Sequence, residues 1–154
     1  PIIESALTAQ KMLEEFDISA DVWSATSYKR LRSEAREARR WNMLHPTEEP
    51  KVSYLENLLK NETGPFVAVS DNVSTLSDQI APWVPGGLFS LGTDGFGRSE
   101  SRERLRRFFE VDAECTALAV LRQLQLQGQI DQKTVAKAIK QFDINPDKAS
   151  AIIV

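Results

Sequence analysis

The spacing of apolar positions changes several times along the chain, and each change marks an expected element. In "PIIESALTAQKMLEEFD", Ile3, Ala6, Leu7, Leu13 and Phe16 fall near one face of a helix. The next stretch, "ISADVWSAT", switches to period two. Ile18, Ala20, Val22 and Ser24 alternate with Ser19, Asp21, Trp23 and Ala25, which predicts a strand. "SYKRLRSEAREARRWNML" is dense in straight-chain helix formers, and Ser27 is placed to cap a strongly charged, largely solvated helix. Pro46 and Pro50 then bracket a loop. "VSYLENLLK" predicts a short helix ended by "NETGP", and "FVAVS" a short buried strand. "VSTLSDQIAPWV" predicts a helical turn or two broken by Pro82 and Pro85, before "GLFSLG" supplies a third strand.

The last third reads as helical. Leu105, Phe108 and Phe109 fall at i, i+3 and i+4, so Arg102, Arg104, Arg106 and Arg107 mostly face elsewhere. Asp112 is placed to cap "AECTALAVLRQLQLQ", whose stripe of Ala117, Val120, Leu121 and Leu124 runs until Gly128 stops it. Asp131 is placed to cap a further helix carrying Val135, Ala138, Ile139 and Phe142. The tail "NPDKASAIIV" opens with Asn145 before Pro146, a favourable helix start, and ends apolar.

Strands separated by helical segments predict an α/β fold: a three-layer, doubly wound, mainly parallel sheet, because parallel neighbours need crossover connections. Three strands make a thin sheet. The opening helix also needs a surface to pack on, and a strand ahead of Pro1 would complete the pattern. The expectation is one domain over residues 1–154, with its first strand missing, as a fragment of a longer chain.

Charge narrows the partners. With 19 basic and 22 acidic side chains the formal net charge is -3, which favours neither nucleic acid nor an anionic membrane. One cysteine excludes an internal disulfide, and no apolar run reaches the length of a membrane span or secretory signal. A soluble, cytoplasmic protein is expected, so the glycosylation-like triplets at Asn61 and Asn72 read as chance matches.

Candidate chemistry is sparse. His45 is the one histidine, so any serine or cysteine mechanism with a histidine base must use it, but no nucleophile motif accompanies it. Cys115 lies inside a helical apolar pattern, where burial is the default reading. A structural zinc site needs more sulfur and imidazole ligands than the chain owns. The strongest local candidate is "GTDGFGRS": Gly92, Thr93, Asp94, Gly95, Phe96, Gly97, Arg98 and Ser99. It follows a predicted strand and precedes a helix, where open α/β sheets bind ligands. Its spacing is neither the Walker pattern nor the dinucleotide fingerprint. The plainer reading is structural: Gly95 and Gly97 allow unusual backbone angles, Phe96 is buried, Ser99 or Ser101 caps the next helix, and Arg98 pairs with a carboxylate across an interface.

Four stretches, "RRWNMLHPTEEPKVSYL", "SDQIAPWVPG", "SLGTDGFGRSESRERLRRFFEVDA" and "GQIDQKTVAKAIKQFDINPDK", together resemble the carboxyl-terminal domain of bacterial homodimeric pyruvate dehydrogenase decarboxylating components. The likeness spans nearly the whole chain, and "TDGFGRS" also resembles the looser "FG-x-S" turn of transketolase carboxyl domains. In such proteins a strand ending in a small-residue turn comes just before the equivalent of "PIIESAL". The resemblance implies a parent that uses thiamine diphosphate and magnesium to decarboxylate pyruvate and then reductively acetylates the lipoyl group of a dihydrolipoyl acetyltransferase component. It also implies that the cofactor is held by amino-terminal and middle domains absent here, across a homodimer. No catalytic, cofactor-binding or metal residue carries over. Residues 92–99 are read as a structural or interface element, and apolar surface at the sheet edge, Trp41, Phe96 and the "AIIV" tail are expected to pack on the missing domains or the partner subunit, with Arg98 and nearby arginines at polar rims. Two other readings stand beside this one: a free-standing anion- or nucleotide-binding module using Gly92–Ser99, and a hydrolase using His45.

Overall fold

The structure is a computed structural model and describes residues 1–153. Helix α1 (Ile2–Glu14) leads into an extended segment, followed by α2 (Tyr28–Leu44), α3 (Tyr54–Leu59) and strand β1 (Val67–Val69). Helix α4 (Thr75–Asp78) and a single 3-10 turn (Ala81–Trp83) precede strand β2 (Phe89–Leu91). The chain closes with α5 (Arg102–Phe109), α6 (Ala113–Leu126) and α7 (Gln132–Gln141).

Local chemistry sets the helix starts. Ser27 Oγ accepts from Arg30 N, Asp112 from Cys115 N and Asp131 from Thr134 N, as the sequence predicts, each satisfying a backbone donor that the first turn leaves unpaired. At α3 a reciprocal capping box forms, with Ser53 accepting from Glu56 N while the Glu56 carboxylate takes Ser53 N. Gly128 adopts a left-handed φ of 73° just beyond α6, where a side chain would be strained. In α5 the capping residue is Ser101, which accepts from Arg104 N; the alternative, Ser99, makes no cap.

β1 and β2 pair in parallel, Val67 opposite Phe89 and Val69 opposite Leu91. Two clusters flank this ribbon. Ala9 and Leu13 of α1 pack with Ala117 and Leu121 of α6 and with Ala138 and Phe142 of α7 and its cap. Leu55 and Leu59 of α3 pack with Ile80 and Val84, joined by Phe66, Leu31 and Trp83. The two clusters and the parallel ribbon make a mixed α/β fold with helices around a small sheet.

Three expectations are corrected. The segment 18–25 is extended and keeps its alternation of half-buried Ile18, Ala20 and Val22 with exposed neighbours, but it is not a strand. No backbone hydrogen bond joins residues 19–25 to any described residue, and only the Ala20 carbonyl is engaged, by the Gln10 side chain at 2.5 Å. A strand exists by its ladder, and here no chain lies alongside. Among the described residues the sheet therefore has two strands where three are expected. The tail forms turns instead of a helix: Asn145 Oδ1 accepts Asp147 N at 3.0 Å, a local bond that competes with helix propagation. Val154 of that tail lies outside the described residues. In α1, Leu7 is exposed, and the small Ala9 takes the buried place against α6.

Candidate functional site

The loop 92–99 leaves the carboxyl end of β2 and is fastened along its first half. Thr93 N donates to Asn72 O at 2.9 Å, and Thr93 Oγ1 donates to Asp71 O at 3.0 Å. Asp94 Oδ1 accepts Ser74 N at 2.9 Å, so its carboxylate supplies a cap at the start of α4 from twenty residues away. The backbone approach is so close that a Cβ on Gly92 would lie 2.2 Å from Ser74 N. Gly95 has φ of 107°, and a Cβ there would lie 2.1 Å from the Ala151 carbonyl oxygen, so the carboxyl tail rests on the loop.

At Phe96 and Gly97 the second half differs from expectation. Phe96 is 80% exposed, not buried, because Gly95 turns the chain outward over the tail. Ile152 and Ile153 are also exposed close by. Gly97 has no left-handed angle and open space where a Cβ would sit, so nothing there requires glycine. Arg98 finds no carboxylate within the described residues; its guanidinium lies 4.3 Å from the centroid of the Phe108 ring, a cation–π contact.

The arginines beyond the loop brace the fold. Arg106, only 14% exposed, grips Asp71 through two nitrogens at 3.2 and 3.0 Å and reaches Ser5 Oγ at 3.3 Å, tying α5 to the β1 exit and to α1. Arg107 pairs with Asp112 at 2.6 Å and Glu114 at 3.3 Å, at the junction of α5 and α6. Glu110 takes a left-handed φ of 60° there and pairs with Lys148 at 3.1 Å. The sequence places four of these arginines away from the apolar stripe, but a helical wheel carries no sign that two of them turn back onto the chain.

The first half of the loop is ill suited to an anion. Phosphate-binding loops present free backbone N–H groups, whereas Thr93 and Ser74 have theirs engaged, and Asp94 brings a negative charge into the turn. The cavity of about 420 Å³ beside the loop contains Arg98, Arg102 and Arg106, but also Asp71, which already neutralises Arg106. Among the described residues no cluster of three His, Cys, Asp or Glu side chains occurs.

The other candidates have structural places. His45 ends α2, its Nδ1 lies 2.8 Å from Trp41 O, and its ring stacks on Trp41 at 4.3 Å between centroids. Lys51 sits 4.4 Å above the same indole, so Trp41 is engaged on the chain's own surface. Cys115 is buried in α6, and burial, reinforced by the Asp112 carboxylate beside it, pushes its thiol pKa well up. That is the opposite of an activated nucleophile. Among the described residues no helix is long and apolar enough to cross a membrane.

A small parallel sheet flanked by helices, with a glycine turn at the strand exit locked by a side-chain cap, defines the class. The chain belongs to the family of transketolase-like C-terminal domains, whose model matches residues 1–112. It is 44% identical over 153 residues to the pyruvate dehydrogenase E1 component of Pseudomonas aeruginosa, covering 98% of this chain and 17% of that relative. The namesakes of Escherichia coli K12 and Mycobacterium tuberculosis are 41% and 42% identical over 143 and 148 residues, covering 92% and 96% of this chain and 16% of each relative. The chain thus spans about a sixth of the length of these curated relatives and corresponds to their carboxyl-terminal region.

Proposed function

We propose that residues 1–154 are the carboxyl-terminal assembly domain of a pyruvate dehydrogenase decarboxylating component. The complete enzyme decarboxylates pyruvate with thiamine diphosphate and magnesium and passes the acetyl unit to the lipoyl group of an acetyltransferase component. Its cofactor is held by amino-terminal and middle domains of a homodimer, and this domain contributes no catalytic group. The observation that carries the reading is the build of residues 92–99: a backbone locked by Asp94 and Gly92 presents Phe96 to the outside. A rigid mount with an exposed aromatic suits an interface anchor better than a ligand cradle. Rigidity matters in such an enzyme, because a displacement of about 1 Å at a reacting centre costs on the order of a hundredfold in rate.

The test is pyruvate decarboxylation with thiamine diphosphate and magnesium. The chain is assayed alone and after recombination with the amino-terminal and middle portions of its enzyme. Activity that needs both pieces supports the assignment; turnover by these residues alone overturns it.

A further inference from the structure

Helix α2 carries its positive charge on one side. At 3.6 residues per turn, Lys29, Arg32, Arg36, Arg39 and Arg40 fall within about 100° of arc, and the two carboxylates of the helix, Glu34 and Glu37, lie outside it. We propose that this face is a docking surface for an acidic segment of a partner protein, one whose apolar residues gather at one end.

The five cations are unmatched. Among the described residues none of them forms an ion pair, whereas Arg104, Arg106 and Arg107 of α5 all hold carboxylates. Arg32 is half-buried and the other four are exposed. Glu34 is spent elsewhere, because its two oxygens accept Tyr54 N at 3.2 and 3.0 Å and fasten α3.

This arrangement works against the helix itself. Arg32 and Arg36 stand at i, i+4, as do Arg36 and Arg40, a spacing at which like charges destabilise a helix. The first turn has Lys29 and Arg30 but no acidic residue, and the last turn has no basic one, so cations sit at the end where the helix dipole opposes them. A helix serving only as a solvated cover gains from the reverse order. Local rules broken along one face, with no gain inside the fold, point to a contact outside it.

Charge and shape select the occupant. Six of the 19 basic and two of the 22 acidic side chains lie in α2, so the helix carries +4 and the rest of the chain -7. A long polyanion such as nucleic acid overruns a patch about 16 Å long and meets the acidic remainder. Stacking gives it no hold on the helix, since the Trp41 indole is covered by His45 and Lys51. A membrane surface needs an exposed apolar face along the helix. Here the exposed apolar part is confined to one end: Met43, in the same arc, is 71% exposed, and Leu44 beside it is 51% exposed. A short acidic segment with apolar residues at one end matches both features. The inference does not rest on what the longer enzyme catalyses.

Binding to the complete enzyme, at low and at raised salt, tests this with three probes. They are a labelled helical peptide of about 18 residues with glutamates along one face and leucines at one end, a DNA duplex, and vesicles of phosphatidylserine and phosphatidylcholine. The expected result is saturable binding of the peptide that weakens with salt and falls at least about tenfold in Arg36→Gln/Arg40→Gln, but not in Arg102→Gln/Arg104→Gln on α5. Both variants lose the same charge, and Arg36 and Arg40 are exposed and unpaired, so their replacement leaves the fold intact. Failure of the peptide to bind, or equal binding by both variants, overturns the proposal. Duplex or vesicles held by the same arginines as tightly as the peptide overturn it too.

Discussion

Asp94 and Ser74 stand twenty residues apart, and the carboxylate of the first holds the backbone N–H of the second at 2.9 Å. Ser74 is the residue ahead of α4 and uses no side chain of its own as a cap. The glycine loop thus supplies from a distance what the helix lacks locally. Replacing Asp94 with alanine is expected to cost about 1 kcal/mol, a fall in Tm of roughly 2–4 °C. Asp94→Asn keeps an acceptor and should recover most of the loss in a calorimetric or dichroism melt.

The three loop glycines should respond differently. Gly92→Ala forces a methyl into the backbone of Ser74, and Gly95→Ala combines a left-handed φ with a clash against Ala151. Each should destabilise by about 1–3 kcal/mol. Gly95→Ala should also release the tail to limited proteolysis. Gly97→Ala meets open space and should leave the melt within about 0.5 kcal/mol of the parent.

Arg106 is 14% exposed while its partner Asp71 is 52% exposed, so solvent screens the pair from one side. A double-mutant cycle with Arg106→Ala and Asp71→Ala should give a coupling no larger than about 1 kcal/mol, smaller at high salt. Arg106→Ala alone should cost more than Asp71→Ala, because the arginine stem packs as well as pairs.

Cys115 gives the fold a dependence on alkaline pH. Its thiol is held neutral in the folded chain by burial and by Asp112, with the folded value well above that of an exposed thiol. Above the unfolded value near ~8.5 the unfolded chain loses a proton that the folded chain keeps. Stability is then intact below that value and falls as pH rises, by up to about 1.4 kcal/mol per pH unit until the folded thiol ionises. Urea melts between pH 7 and 10 should show this slope, and Cys115→Ala should remove it. Thiol reagents at neutral pH should label the folded chain no faster than it opens.

Phe96 carries the assembly reading to a direct test. In the complete enzyme, Phe96→Ala should weaken the dimer or lower its thermal stability, measured by sedimentation and by melting. In the 154-residue chain the same change should be nearly silent, since the ring is 80% exposed. Unchanged association and stability of the complete enzyme would remove Phe96 from the interface.

What the residues determine by themselves is local. The caps at Ser27, Asp112 and Asp131, the stop at Gly128 and the stripes of α6 and α7 are all legible, because each depends on neighbours within a turn or two. The alternation of strands with helical segments also makes a parallel sheet legible, and β1 and β2 do pair in parallel. Tertiary structure decided what depends on distant chain. Residues 18–25 have a strand's alternation and no ladder, because pairing requires a neighbour that periodicity does not supply. Asp94 reads as part of a glycine loop, yet its role is set by Ser74, and Arg106 reads as facing away from the apolar stripe, yet its place is set by Asp71. Phe96 reads as buried because aromatic residues usually are, and it stands outside because Gly95 turns the backbone over the tail. Hydrophobic period reports which face a side chain shares with its near neighbours; only the assembled chain decides whether anything covers that face.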